Sequence, residues 1–212
     1  MARAPRPLQA GLTLHLTAHA IPDLLCCPDN DARARFLQLA LKACGTTLCQ
    51  VHAYALMDNH VHLLLSSLAD QGVARLMARL LGRHTALLNR LEGRIGPRWH
   101  QRYASLVIKD EAHLVNSYLY IEANPWRAGL VEHPARSTWT SYGFNALGRV
   151  EELLTPHAVV LHLAQPGEDW RSAYSRLMEE YLKTAVRYKG AARLPLTTDP
   201  LAGLHVCMVD PR

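Results

Sequence analysis

The chain has 212 residues and a formal net charge of +5, with 49% hydrophobic and 19% charged residues. That composition excludes disordered and fibrous classes and fits one globular domain plus an appendage. No apolar run reaches the roughly 20 residues of a membrane span, and the basic start, Met1 to Pro7, lacks the apolar core of a signal peptide. Arginine outnumbers lysine in the excess positive charge, which suits a polyanionic partner and phosphate recognition. The five cysteines, Cys26, Cys27, Cys44, Cys49 and Cys207, are odd in number and include no Cys-x-x-Cys pair. They imply neither a zinc ribbon nor a disulfide framework, and the expectation is reduced thiols in a cytoplasmic protein.

Residues 1–11 read as an irregular arm. Residues 12–18 alternate apolar and polar side chains, the pattern of a strand, and the alternation assigns His15 to the polar side, expected to be surface. Pro28-Asp29-Asn30 supplies turn and N-cap chemistry for an amphipathic helix carrying Phe36, Leu37 and Ala40, which Gly45 is expected to end. Residues 47–57 and 60–66 predict an antiparallel hairpin about Asp58-Asn59, residues that tolerate turn backbone angles. A second helix is predicted over about 70–91. Val73, Leu76, Met77, Leu80 and Leu88 fall on one side, and Arg75, Arg79, Arg83 and Arg90 on the other. Such an arginine stripe is most simply a solvated face, and it also has the geometry to follow a phosphate backbone.

Residues 93–103 place Arg94, Arg98 and Arg102 among Trp99, His100 and Tyr103. Charge and rings so interleaved can hold phosphates and stack bases; an ordinary loop pinned by Trp99 is the plainer alternative. Residues 104–108 predict a fourth strand, and Asp110 caps a third helix, 111–123, stopped by Pro125. The order β-α-β-β-α-β is that of a ferredoxin-like α+β fold, here with an extra helix after it. Residues 146–165 look irregular, and 167–186 predict an amphipathic helix through Trp170, Tyr174, Met178 and Tyr181. Lys183, Arg187, Lys189 and Arg193 make the following stretch basic, most simply a solvated segment. The expected division is a catalytic domain at 1–145 and a C-terminal helical extension at 146–212.

Chemistry concentrates in Asp58-Asn59-His60-Val61-His62. Side chains two apart on a strand share a face, so His60 and His62 form a pair able to chelate one divalent cation. Tyr120 and Asn124, four apart, share a helical face. Two neutral imidazoles and an amide oxygen would hold a cation without cancelling its charge, leaving it to act as a Lewis acid on a phosphodiester. The tyrosine hydroxyl, with an ordinary pKa near 10, would serve as a nucleophile once deprotonated, giving a DNA 5′-phosphotyrosine. Each residue alone has a plainer reading: two strand histidines, a packed aromatic ring, a helix-end asparagine. The joint occurrence favours the site. Because imidazole must be neutral to ligate, activity is expected to fall below about pH 6. A structural zinc on the two histidines is a weaker alternative, since no cysteine is placed to complete it.

Several stretches resemble the single-tyrosine HUH transposases, specifically the REP-associated tyrosine transposases of bacteria. They are Arg6-Pro7-Leu8, residues 12–17, Asp31 to Phe36, Ala53 to Leu65 and Asn89-Arg90, then Trp99 to Tyr103, Tyr120 to Val131 and Trp139 to Tyr142. The resemblance covers about 6–145. It implies His60 and His62 as metal ligands, Asn124 as the polar third ligand, Tyr120 as nucleophile, and Mg²⁺ or Mn²⁺ as the metal. It also implies single-stranded DNA, often a hairpin from a repeated palindrome, as the substrate that is cut and rejoined. Nucleic-acid contacts are expected from Arg75, Arg79, Arg83, Arg94, Arg98, Trp99, Arg102, Tyr103 and Arg127. Two departures stand out: Asp58 replaces the family's usual Pro, and His19-Ala20-Ile21 replaces Arg-Gly-Asn. The alternative of another class is a non-catalytic single-stranded nucleic-acid binder. Monomer and homodimer both fit the sequence.

Overall fold

A computed structural model describes residues 9–187. The calls on the N-terminal arm, Cys207, Lys189, Arg193 and the end of the chain concern residues outside that range. Four strands, β1 (Thr13–His19), β2 (Cys49–Leu56), β3 (His60–Ser67) and β4 (Ala104–Val107), form one antiparallel sheet in the order β2-β3-β1-β4. This is the expected α+β, ferredoxin-like arrangement. Helices α1 (Asn30–Thr47) and α2 (Gly72–Leu91) connect β1 to β2 and β3 to β4.

Local chemistry explains the helix starts. Asp29 accepts a hydrogen bond from the Ala32 amide at 2.7 Å, and Asp110 one from the His113 amide at 2.8 Å, so each satisfies a first-turn donor. The expected stop at Gly45 is not taken. The helix continues to Thr47 and ends where Leu48 adopts a left-handed φ of 55°. The third helix, α3 (Glu111–Glu122), ends before Pro125 as expected, with Ala123 as its cap, and Pro125 lies in the first turn of a separate short helix, α4 (Asn124–Arg127), where its missing N–H is not needed.

Two apolar layers enclose the sheet. One packs Leu14, Leu16, Val61, Leu63 and Leu65 against Phe36 of α1 and Leu76, Met77 and Leu80 of α2. The other packs Ala53, Ala55 and Leu64 against Leu114, Tyr118 and Ile121 of α3. Residues 146–165, expected to be irregular, include short α6 (Ala158–Leu161), which follows α5 (Tyr142–Asn145). Helix α7 (Trp170–Thr184) then seats Tyr174, Met178 and Tyr181 in the second layer.

The sheet is therefore covered on both faces, which corrects the expectation for His15. Its face of β1 is roofed by α3, and the residue is only 2% exposed. Among the described residues no helix is long and apolar enough to cross a membrane.

Behind α3 lies a buried polar hub. Glu122, fully buried, accepts from Ser141 Oγ at 2.5 Å, Asn145 Nδ2 at 2.6 Å and the Tyr174 hydroxyl at 2.6 Å. It joins α3 to α5 and α7, and burial pushes its carboxyl up to about 7.

Candidate active site

The tight turn at Asp58-Asn59 closes with the Met57 amide donating to the His60 carbonyl at 3.0 Å. The Cys26 and Cys27 amides both donate to the Asp58 carbonyl, at 2.8 and 3.0 Å, so the turn is held from outside the hairpin. The Asp58 carboxylate pairs with Arg33. Its charge is thus used within the protein rather than turned toward the histidines.

His60 and His62 share the sheet face that α3 covers. Their ring centroids are 5.0 Å apart and both residues are buried. Helix α3 lays Tyr120 over them, its ring 5.8 Å from His62 and 6.0 Å from His15 in edge-on packing. Tyr120 retains 8% exposure. The Asn124 amide N–H donates to the Tyr120 carbonyl at 2.9 Å, which turns Oδ1 away from the helix. That oxygen and His60 Nε2 are both buried and approach each other without reaching full hydrogen-bond geometry. The Asn124 side chain lies against the His60 ring, and its influence there favours the protonated imidazole, opposing the larger effect of burial.

Burial holds the His60 imidazole down at about 3, with the neighbouring His19 adding to the effect. It lowers His62 well below the usual range, helped by His60, His15 and His19. Burial thus favours the neutral form of both rings.

The buried, unbonded His60 Nε2 and Asn124 Oδ1 are donor atoms of the kind a hard or borderline cation takes, and they fit a metal between the strand pair and α3. Among the described residues no three His, Cys, Asp or Glu side chains group to hold a metal. A three-ligand site would therefore draw on the Asn124 amide oxygen, and a four-ligand zinc site of His and Cys has no matching group there.

The expected nucleic-acid contacts separate. Arg127 is buried beside Tyr120, its guanidinium 5.2 Å from the ring centroid, and its Nη1 donates to the Tyr181 hydroxyl at 3.3 Å. Arg75, Arg79 and Arg83 are exposed on α2, in the layer across the sheet from Tyr120. Arg75 donates to the Asp70 carbonyl and Arg79 to Thr46, so both are partly engaged within the fold.

Arg98 corrects the sequence expectation most clearly. It is 1% exposed, donates to the Leu25 carbonyl at 2.5 Å and pairs with Glu92, so its charge braces the loop. Trp99 bridges to Ala20 and donates to the Leu81 carbonyl at 3.3 Å, and Tyr103 is buried in the α1/α2 layer. Neither ring is displayed for stacking. Arg102 is exposed and Arg94 half-buried. The His100 amide donates to the His19 carbonyl at 2.9 Å, bringing this loop beside His19, whose ring stacks on His60 at 5.1 Å.

Sequence reasoning missed His15, whose Nε2 lies 3.0 Å from His62 Nδ1. Its place two residues before Thr17, the residue registered opposite His62, is the signal that could have found it.

The structure thus sets a histidine pair on a ferredoxin-like sheet beneath a helical tyrosine. Residues 27–124 match the family described as "Transposase IS200 like". Among solved structures the chain is similar to that of a REP-associated tyrosine transposase bound to a REP hairpin, with a TM-score of 0.60 and 14% sequence identity. That match covers 74% of this chain and 93% of the other, and at such identity the likeness is one of fold. No curated protein matches. The resemblance read from the motifs is thus borne out: the chain matches the IS200-like transposase family in sequence through 27–124 and a REP-associated tyrosine transposase in fold over 74% of its length.

Proposed function

We propose that the chain is a metal-dependent single-strand DNA nicking and rejoining enzyme, acting in the cytoplasm on hairpin or palindromic repeat DNA through a 5′-phosphotyrosine on Tyr120. The observation that carries this reading is the convergence of Tyr120, His60, His62 and Asn124, from two separate segments, on one buried cluster holding donor atoms without hydrogen-bond partners. The hairpin bound by the structurally similar transposase supports the choice of substrate.

In this reading His60, His62 and Asn124 hold Mg²⁺ or Mn²⁺, which when bound supplies Lewis-acid polarisation of a phosphate oxygen. Tyr120 gives up its phenolic proton to solvent and its oxygen attacks phosphorus. The bond to the 3′-oxygen breaks, and that oxygen takes a proton to leave as a 3′-hydroxyl. Arg127 places a fixed positive charge beside the ring, where it would stabilise the phenolate that attacks. Rejoining reverses the step: a 3′-hydroxyl attacks the phosphotyrosine and Tyr120 is released, so no external energy source is needed.

The test is incubation with end-labelled hairpin DNA and Mg²⁺ or Mn²⁺. A covalent protein–DNA adduct that chelator abolishes and Tyr120→Phe loses is the expected result. DNA binding with no adduct under either metal would refute the reading and leave a non-catalytic binder.

A further inference from the structure

Both strand histidines are gripped at the same nitrogen. His60 Nδ1 lies 2.7 Å from Asn59 Oδ1. His62 Nδ1 lies 3.0 Å from His15 Nε2 and 3.2 Å from Thr17 Oγ1. With Nδ1 engaged on its outer side, each ring has Nε2 as its remaining nitrogen, and for His60 that atom is buried and unbonded.

A neutral imidazole offers one lone pair and one N–H. For Nε2 to give its lone pair to a cation, the proton must sit on Nδ1 and be accepted by something. Asn59 Oδ1 is an acceptor for His60. For His62 the acceptors are Thr17 Oγ and the lone pair on His15 Nε2, with the His15 proton on Nδ1. That His15 Nδ1 is itself buried without a hydrogen-bond partner, an arrangement unfavourable to the fold. Ordinary packing gives no return for that cost, and the β1–β3 register delivers it to one place: Thr17 opposite His62, with His15 two residues along on the same face.

We propose that His15, aided by Thr17, is a positioning residue for the cation: it fixes the His62 ring and tautomer so that Nε2 faces the site, as Asn59 does for His60. This rests on the metal-dependent reading above and assigns His15 no contact with DNA or cation. Outer-sphere partners of ligating histidines commonly govern metal affinity in this way.

Two measurements test it. In the metal-free protein, imidazole ¹⁵N–¹H correlation spectra report the tautomer. A proton on His62 Nδ1 is expected, and a proton on Nε2 overturns the proposal. Mn²⁺ titrations followed by electron paramagnetic resonance then compare variants whose unfolding midpoints are recorded alongside. His15→Phe should weaken Mn²⁺ binding on the order of 10–100-fold, His15→Gln, which restores an acceptor, should recover most of it, and Thr17→Val should cost only a few-fold. Folded His15→Phe protein that binds Mn²⁺ like the wild type overturns the role of His15 alone. A wild type that binds no Mn²⁺ removes the metal-dependent reading as well. Should His15→Phe fail to fold, the tautomer in the wild type still decides.

Discussion

Replacing Glu122 with alanine should weaken the fold sharply although the residue touches neither the histidines nor solvent. The carboxylate takes three hydrogen bonds in a fully buried pocket. Ser141 Oγ keeps a long alternative to the Tyr54 carbonyl at 3.4 Å, and Asn145 Nδ2 one to the His52 carbonyl at 3.3 Å. The Tyr174 hydroxyl, fully buried, loses its Glu122 acceptor. One stranded donor costs about 1–3 kcal/mol and two weakened ones about 0.5–1 kcal/mol each. The vacated volume adds about 1 kcal/mol more. The expected loss is about 3–6 kcal/mol, or roughly 10–15 °C in unfolding midpoint for a chain of this size. Glu122→Gln should lose less than about 1.5 kcal/mol, since its oxygen keeps two donors and the Tyr174 hydroxyl turns to accept from the amide. Urea unfolding at pH 7 measures both. An alanine variant within about 1 kcal/mol of wild type would show that the hub contributes little, and that the placement of α3 over the histidines rests on apolar packing alone.

Arg98→Ala should destabilise by about 2–4 kcal/mol, because a buried guanidinium bonded to Leu25 and paired with Glu92 is removed, while leaving the salt dependence of single-strand DNA affinity unchanged; a reduced salt slope would return Arg98 to the DNA contacts. Arg102→Ala, at an exposed position, should instead leave stability unchanged and reduce the logarithmic salt slope by about 0.7, read from fluorescence anisotropy at several salt concentrations. His52 gives a pH prediction. Burial lowers its imidazole to about 4 despite the Thr155 carbonyl at 2.7 Å. The unfolded chain therefore takes up a proton first as pH falls, and the contribution of His52 is intact above about 6.5 and lost progressively toward pH 4. At about 1.4 kcal/mol per pH unit this is on the order of 3 kcal/mol. Unfolding free energies of wild type and His52→Gln, compared at pH 7 and 4.5, should diverge by that order, and parallel pH profiles would contradict the assignment.

Local chemistry in the sequence determined much of this protein. Period-two alternation and the Asp58-Asn59 turn specify the hairpin that sets His60 and His62 on one face, and the caps at Asp29 and Asp110 start the helices where side-chain oxygens can satisfy first-turn amides. The four-residue interval between Tyr120 and Asn124 follows from helix geometry alone. Tertiary structure decided what covers what. His15 sits on the polar side of a strand, and only the roof formed by α3 makes that side interior and brings its ring to His62. Arg98 carries the same charge as Arg102, yet the Leu25 carbonyl and Glu92 draw it inward. Gly45 favours a helix end, but helix-to-sheet packing outweighs a preference of about 1 kcal/mol at a single residue, and α1 runs on to Thr47. A strand or helix is set by neighbours in sequence, whereas the contacts of His15 with His62 and of Arg98 with Leu25 span 47 and 73 residues, which no local pattern encodes.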